Sequence, residues 1–171
     1  MRSVLNNLRF WERRCSVIAL PHLAKDYGLR HGFMTNQAKI LVVEDQMAVA
    51  LMMVFLLTQA GCDAQTALNA GKALRLAQTE TFDLIILDVE MTGLNGFELF
   101  KRLRQIPHLA ETPIIFVSGR ATIENQQYAL DELGASDFIE KPFNTSEFVQ
   151  RLLSHIKAKS DLVAVTESAL T

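Results

Sequence analysis

Residues 82–87 read FDLIIL, and Asp88 follows them directly. Apart from Asp83, this stretch is a short apolar run rich in isoleucine and leucine, which predicts a strand buried on both of its faces. Strands of that kind belong to parallel sheets, because the helices of the crossover connections cover both faces of such a sheet. This stretch therefore favours an α/β protein and places an aspartate at the end of its most strongly buried strand.

The flanking sequence continues the same alternation of strands and helices. From Lys39 onward, apolar strand-like runs alternate with amphipathic helical patterns. We predict the other strands at 39–43, 63–66, 113–117 and 136–139, and helices at 46–60, 70–78, 96–105, 123–133 and 145–156. Five strands alternating with five helices predict a doubly wound parallel sheet with helices on both faces. Ligands of such folds bind beyond the carboxyl ends of the strands.

Composition excludes several classes of protein. The 171 residues are 49% hydrophobic and 21% charged, with a formal net charge of −2. These values are typical of one soluble globular domain and argue against a nucleic-acid-binding protein, which needs a concentrated basic face. A solvated helix face accounts for the basic cluster at 101–104. Two cysteines without a C-x-x-C pair predict neither a disulfide framework nor a zinc site.

Membrane insertion and secretion are not expected either. The longest apolar run, Met47–Leu57, is shorter than the ~18 residues of a membrane helix. The apolar stretch after the first arginines, Cys15–Leu20, is short and ends at Pro21, which makes a poor secretion signal. We expect a cytoplasmic protein.

The periodic pattern does not extend over the whole chain. We assign residues 37–158 to the folded domain, residues 1–36 to an N-terminal extension outside the core, and residues 159–171 to a flexible tail. Our hypothesis is that Met34 is the natural start and that residues 1–33 are an upstream or added segment. No output-domain motif follows Ile156.

Four polar features fall at predicted strand ends. Glu44-Asp45 follow the first strand, Asp88 the third, Ser118 the fourth and Lys141 the fifth. One pocket would then hold three carboxylates, a hydroxyl group and an ammonium group. Oxygen-only ligands favour a hard cation such as Mg²⁺. Taken singly, each feature has a simpler explanation, such as a helix cap or a turn, but their order and spacing together are much more specific.

At these residues the chain resembles the receiver domain of two-component response regulators, in a stand-alone form. The resemblance rests on the runs VVEDQ, LIILDVEMTGLNGFEL, PIIFVSGR and GASDFIEKPF, and extends over roughly residues 39–156. It implies a flavodoxin-like sheet with strand order 2-1-3-4-5. It also implies a phosphoryl group received from a sensor histidine kinase or a histidine phosphotransfer protein.

The resemblance implies a role for each position of the site. Asp88 matches the phosphoacceptor, while Glu44, Asp45, Asp88 and the backbone carbonyl of Glu90 match the ligands of Mg²⁺. Lys141 and Ser118 match the residues that bind the phosphoryl group.

The resemblance also implies a conformational switch. Ser118 would move toward the phosphoryl group, and the ring of Phe138 would then turn inward. The Lys141–Pro142 bond is expected to be cis, as in the family. The altered surface would serve either a homodimer or a separate downstream protein.

The chain departs from the usual family pattern near the phosphoacceptor. Thr92 stands where the family often has proline, and we expect it to loosen the loop without touching the chemistry. Glu90 and Arg120 flank the route of an attacking water, so we expect them to tune the lifetime of the phosphoryl group. An ion pair between these two side chains would span the pocket.

The first helix is apolar on every side. If Val49, Met53, Leu56 and Ala60 face the sheet, then Met47, Leu51 and Val54 point outward. With Pro142, these outward residues are our candidates for the surface on which the histidine-bearing partner docks. The alternative is that residues 1–33 fold back and cover this surface.

Two other functions remain open. A pseudo-receiver that binds partners without being phosphorylated would share the fold, although the intact acidic pair, acceptor, hydroxyl and lysine argue against it. A phosphohydrolase of the haloacid-dehalogenase kind also uses a nucleophilic aspartate, but that aspartate normally follows the first strand, whereas Asp88 follows the third. Apart from its own phosphorylation and dephosphorylation, we expect no enzymatic activity.

Overall fold

The computed structural model describes residues 37–168 of the chain, and their side chains as far as residue 156. Five strands form one parallel sheet in the order β2-β1-β3-β4-β5. The strands are β1 (Lys39–Val43), β2 (Asp63–Ala67), β3 (Leu84–Asp88), β4 (Ile114–Ser118) and β5 (Asp137–Glu140). The predicted doubly wound α/β fold and its strand order are confirmed.

Helices connect the strands and cover both faces of the sheet. They are α1 (Met47–Gln59), α2 (Ala70–Thr79), α3 (Gly96–Arg104), α4 (Ile123–Gln127) and α5 (Thr145–Ser168). A short 3₁₀ helix (Pro107–Leu109) precedes β4, and a π-helix (Tyr128–Glu132) follows α4. Among the described residues, no helix combines the length and apolar character that a membrane crossing requires.

The sheet separates two apolar layers. In β3, Leu84 and Ile86 contact the layer that contains Met53 of α1 and Phe148 of α5. Ile85 and Leu87 point to the opposite layer, which is built by α2, α3 and the π-helix. All five residues of β3 are buried, as expected for a central parallel strand with a continuous apolar run.

Two helices differ from the predicted bounds by more than one residue. Helix α5 continues to Ser168, beyond the predicted end at residue 156, while residues 169–171 and 1–36 lie outside the described part. The predicted helix at 123–133 is α-helical for only its first five residues. It then widens, since the amide of Leu133 donates to the carbonyl of Tyr128, five residues earlier.

Helix α1 is rotated relative to the predicted orientation. Its fully buried residues are Ala50, Met53 and Leu57, while Val54, which we expected to point outward, is half-buried against the core. The exposed large side chains of α1 are Met47, Leu51, Met52 and Phe55. A helix that is apolar on every side gives no periodic signal, so the sequence could not fix which face meets the sheet.

Candidate functional site

The sheet brings the predicted polar residues to its carboxyl edge. Asp88 and Ser118 are the last residues of β3 and β4, while Glu44 directly follows β1 and Lys141 directly follows β5. Strands β1 and β3 are neighbours, so Glu44 and Asp88 lie side by side. The structure therefore unites Glu44, Asp45, Asp88, Ser118 and Lys141 at one end of the sheet.

Three carboxylates form the acidic part of the site. One oxygen each of Glu44, Asp45 and Asp88 can be chosen so that all three lie within 4.8 Å of one another. Glu44 and Asp88 are almost completely buried, at 0% and 2% exposure. Three oxygen ligands at this spacing suit a hard divalent cation, so the residues present fit the ion that the family implies.

Lys141 partly neutralises this cluster. Its ammonium nitrogen lies 2.6 Å from Glu44 Oε2 and 3.3 Å from Asp88 Oδ1. The peptide bond that follows Lys141 is cis, as expected. In this arrangement the ammonium group of Lys141 lies closer to Glu44 than to Asp88, the predicted phosphoacceptor.

The pKa of the Asp88 carboxyl lies above that of an ordinary aspartate. Burial raises the pKa of its carboxyl to about 6, with Glu44 adding to the rise while Lys141 and the amide of Glu90 oppose it. That amide donates to Asp88 Oδ1 at 3.2 Å. The charged form therefore predominates above about pH 6.

The loop that follows β3 packs closely on Asp88. Gly96 begins α3 against the backbone carbonyl of Asp88, at a place where any side chain would clash. Its amide donates to the carbonyl of Val89, and Asn95 caps the helix by accepting from the amide of Glu98. Loop and helix thus hold a fixed position beside Asp88.

The predicted Glu90–Arg120 ion pair is present. Arg120 Nε lies 2.9 Å from Glu90 Oε1. The Arg120 side chain is 81% exposed, so the pair lies on the outer side of the pocket. The amide of Arg120 donates to the buried hydroxyl oxygen of Ser118 at 3.0 Å, which holds that hydroxyl group beneath the ion pair.

Thr92, which we expected only to loosen the loop, contacts a predicted metal ligand. Its backbone amide and its hydroxyl both donate to Asp45 Oδ2, over 2.8 Å and 2.7 Å. These bonds, above all the one from the hydroxyl group, lower the pKa of Asp45. Apart from the hydroxyl group itself, no sequence pattern indicates this contact, because it joins residues 47 positions apart.

Phe138 lies inside the molecule. Its ring is 7% exposed, and its centroid is 6.3 Å from that of Phe116. Phe116 in turn meets Phe97 of α3, whose ring packs edge-on against Tyr128 of the π-helix. A continuous set of aromatic rings therefore leads from the predicted switch residue to the helix that follows β4.

The predicted docking residues lie next to the site. Met47 and Leu51 are 52% and 54% exposed, and Pro142 is also exposed, whereas Val54 is not. Met52 and Phe55, which were not predicted, are 40% and 61% exposed. The apolar surface of α1 is thus larger than expected and is shifted around the helix.

The chain is similar in sequence to known signalling proteins. The family model of the response regulator receiver domain matches residues 40–153. The transcriptional activator protein IrlR of Burkholderia pseudomallei is 36% identical over 119 residues, which are 70% of this chain and 50% of that protein. The phosphate regulon regulatory protein PhoB of Rhizobium meliloti is 34% identical over 127 residues, covering 74% of this chain and 56% of that protein. The chain thus spans about half the length of these curated relatives.

Solved structures agree with the sequence relatives. The receiver domain of Francisella response regulator 1452 matches with a TM-score of 0.67 at 30% identity, covering 72% of this chain and 99% of that chain. The chemotaxis protein CheY4 of Vibrio cholerae matches with a TM-score of 0.63 at 34% identity, covering 68% and 98%. Receiver domains are generally signalling modules of two-component systems, in which phosphorylation and Mg²⁺ binding are typical. From residue 40 to residue 153, this chain belongs to the response regulator receiver domain family.

Proposed function

We propose that the chain accepts a phosphoryl group on Asp88 from a phosphohistidine of a sensor histidine kinase or a histidine phosphotransfer protein. The observation that carries this proposal is the buried Asp88 carboxyl between two further carboxylates and a lysine. In the proposed cytoplasmic setting, the chain then signals through a change in its surface.

Glu44, Asp45 and Asp88 are the proposed side-chain ligands of Mg²⁺, with the backbone carbonyl of Glu90 as a fourth. When bound, Mg²⁺ neutralises and aligns the phosphoryl oxygens. Lys141 is already within 3.3 Å of Asp88 Oδ1, so its ammonium group can pair with the incoming phosphoryl group as a point charge.

Asp88 is the proposed nucleophile of the transfer. A carboxylate oxygen forms a bond to phosphorus while the phosphorus–nitrogen bond of the phosphohistidine breaks, and its electron pair stays on the imidazole nitrogen. The product is an acyl phosphate on Asp88. Only the ionised carboxylate attacks, and a pKa of about 6 leaves most of the Asp88 carboxyl ionised at neutral pH.

Ser118 and Phe138 are the proposed switch residues. The Ser118 hydroxyl accepts a hydrogen bond from Arg120, and we propose that it turns instead to donate to the phosphoryl group. The ring of Phe138 lies inward in this structure. The proposed inward turn would therefore start from another conformation, in which the ring is exposed. The resulting surface is proposed to bind a downstream protein or a second copy of the chain.

Glu90 and Arg120 are the proposed regulators of phosphoryl lifetime. Their ion pair is largely exposed, and we propose that it limits how a water molecule reaches the phosphorus atom. Hydrolysis would break the bond between phosphorus and the Asp88 oxygen, releasing inorganic phosphate and restoring the carboxylate.

Intact mass tests this function directly. The protein is incubated with Mg²⁺ and acetyl phosphate, and its mass is read under acidic conditions. We expect the gain of one phosphoryl group, which should be absent from Asp88→Asn and from a sample without metal. No gain, together with no binding of beryllofluoride, would instead favour the non-phosphorylated pseudo-receiver. Turnover of a phosphate ester would favour the phosphohydrolase.

A further inference from the structure

Thr92 donates two hydrogen bonds to one carboxylate oxygen of Asp45. Its backbone amide and its hydroxyl group both donate to Asp45 Oδ2, at 2.8 Å and 2.7 Å. The next residue, Gly93, has a φ angle of +87°, a conformation that favours glycine and turns the loop directly after the contact. Thr92 itself is exposed, so the contact lies on the outer side of Asp45.

Two donors use the full hydrogen-bonding capacity of that oxygen. An ionised carboxylate oxygen has about two lone-pair sites, and Oδ2 of Asp45 already accepts two hydrogen bonds from Thr92. A cation that bound Oδ2 would have to displace one of these bonds. Oδ1 therefore remains as the oxygen that Asp45 can offer to a metal ion.

This arrangement bears on the choice of cation. Mg²⁺ takes a compact octahedral shell and binds proteins through one or two carboxylates, retaining several waters. Ca²⁺ has a larger shell and often takes both oxygens of a carboxylate. A carboxylate restricted to one oxygen thus suits Mg²⁺ better than Ca²⁺.

We propose that Thr92 is a positioning residue that makes Asp45 a one-oxygen ligand and thereby favours Mg²⁺ over Ca²⁺ at the site. The inference rests on the proposed function, since it requires that the three carboxylates hold a cation. Proline at position 92 could make neither bond, because it has no amide hydrogen and no hydroxyl group.

Calorimetric titration of the full chain with MgCl₂ and with CaCl₂ tests the inference. Thr92→Val removes the hydroxyl group at nearly constant shape, Thr92→Pro removes both donors, and Thr92→Ser retains both. We expect Thr92→Val to weaken Mg²⁺ binding by about tenfold, as is common when a partner of a metal ligand is lost. Binding of Ca²⁺ should weaken less or become tighter, so the ratio of the two dissociation constants moves toward Ca²⁺. The shift should be larger in Thr92→Pro and absent in Thr92→Ser.

The titrations distinguish failure of the metal site from failure of the role proposed for Thr92. A wild-type chain that binds no Mg²⁺ would overturn the metal site itself, and the role of Thr92 with it. A wild-type chain that binds Mg²⁺, with the same Mg²⁺-to-Ca²⁺ ratio in Thr92→Val and Thr92→Pro, would overturn the role of Thr92 alone. Thermal unfolding without metal checks that each variant is folded, and Thr92→Ser provides the matched comparison.

Discussion

At the scale of single residues, the site buries two carboxyl groups beside a single ammonium group. Glu44 and Asp88 are buried next to each other, and Lys141 is the one ammonium group that the structure places within 4 Å of either among the described side chains. Burial of like charges is costly unless a cation offsets it. A cation bound between these carboxylates would therefore offset part of the free-energy cost of burying them.

The pH dependence of stability should reveal the cost of ionising Asp88. Its folded-state pKa of about 6 lies above the ordinary value of ~3.9, so its contribution to stability is full below pH 4 and is lost as the pH rises through 6. Asp88→Asn cannot ionise. Without metal, we expect it to gain about 3 kcal/mol in unfolding free energy relative to wild type as the pH rises from 4 to 8, because each unit of pKa shift corresponds to ~1.4 kcal/mol. Urea titrations across this range measure the difference, and a constant difference would contradict the prediction.

At the scale of elements, β5 and α5 are joined by a charged clamp. Arg151 Nε and Nη2 donate to the two carboxylate oxygens of Asp137, at 3.0 Å and 2.5 Å. Nη2 also donates to the backbone carbonyl of Phe138, at 3.1 Å. The clamp thus ties the strand that carries the predicted switch residue to the last helix.

The clamp should contribute stability that depends on pH. Burial opposes ionisation of Asp137, but the hydrogen bonds from Arg151 and the Phe138 amide outweigh it and leave the pKa lowered. Its contribution is present above the ordinary value near 4 and is lost as the pH falls through the lowered pKa. We expect Arg151→Met to lose about 1–2 kcal/mol of unfolding free energy at pH 7 and less below pH 4.

Arg151→Lys serves as the matched control for the clamp, because it keeps the positive charge but not the forked geometry. We expect it to fall between Arg151→Met and wild type in urea unfolding at pH 7. Equal stability of all three proteins at pH 7 would show that the clamp adds nothing measurable.

The sequence predicts those elements that have a clear apolar pattern, and those site residues that lie at the ends of predicted strands. β3 and β4 were identified because 82–87 and 113–117 are apolar runs bounded by polar residues and proline, and their ends located Asp88 and Ser118. The face of α1 was not predictable because its apolar residues have no period. The Thr92–Asp45 contact and the π-helix depend on how loops and aromatic rings pack, which no local pattern encodes.

The exposed side of α1 should matter for the phosphodonor protein and not for a small donor. Leu51 is 54% exposed on α1, whereas Ile123, on α4, is 73% exposed. We expect Leu51→Glu to slow phosphotransfer at least severalfold from a histidine kinase or phosphotransfer protein that phosphorylates this chain, with acetyl phosphate labelling unchanged. Ile123→Glu makes the same chemical change on another helix and should leave both rates unchanged. Equal rates for Leu51→Glu and wild type with both donors would remove the docking role.

At the scale of the whole molecule, the sheet separates the site from the point where residues 1–36 join it. Those residues connect to the amino end of β1, at the sheet edge opposite Asp88 and Lys141. All five strands and the proposed site lie between residues 39 and 141, and the family match begins at residue 40. The five described strands and the family match therefore all follow residues 1–33 in the chain, and we expect the domain to fold without that segment.

Removal of residues 1–33 tests both the domain boundary and the state of the apolar surface on α1. We expect the chain that begins at Met34 to unfold cooperatively in urea and to gain one phosphoryl group from acetyl phosphate, as the full chain does. Circular dichroism must follow its unfolding, because the single tryptophan, Trp11, is removed. If Met47, Leu51 and Phe55 are open in the full chain, both proteins should bind the hydrophobic dye ANS equally. A clear rise after removal would show that residues 1–33 cover the surface, so that a phosphodonor would have to displace them before docking.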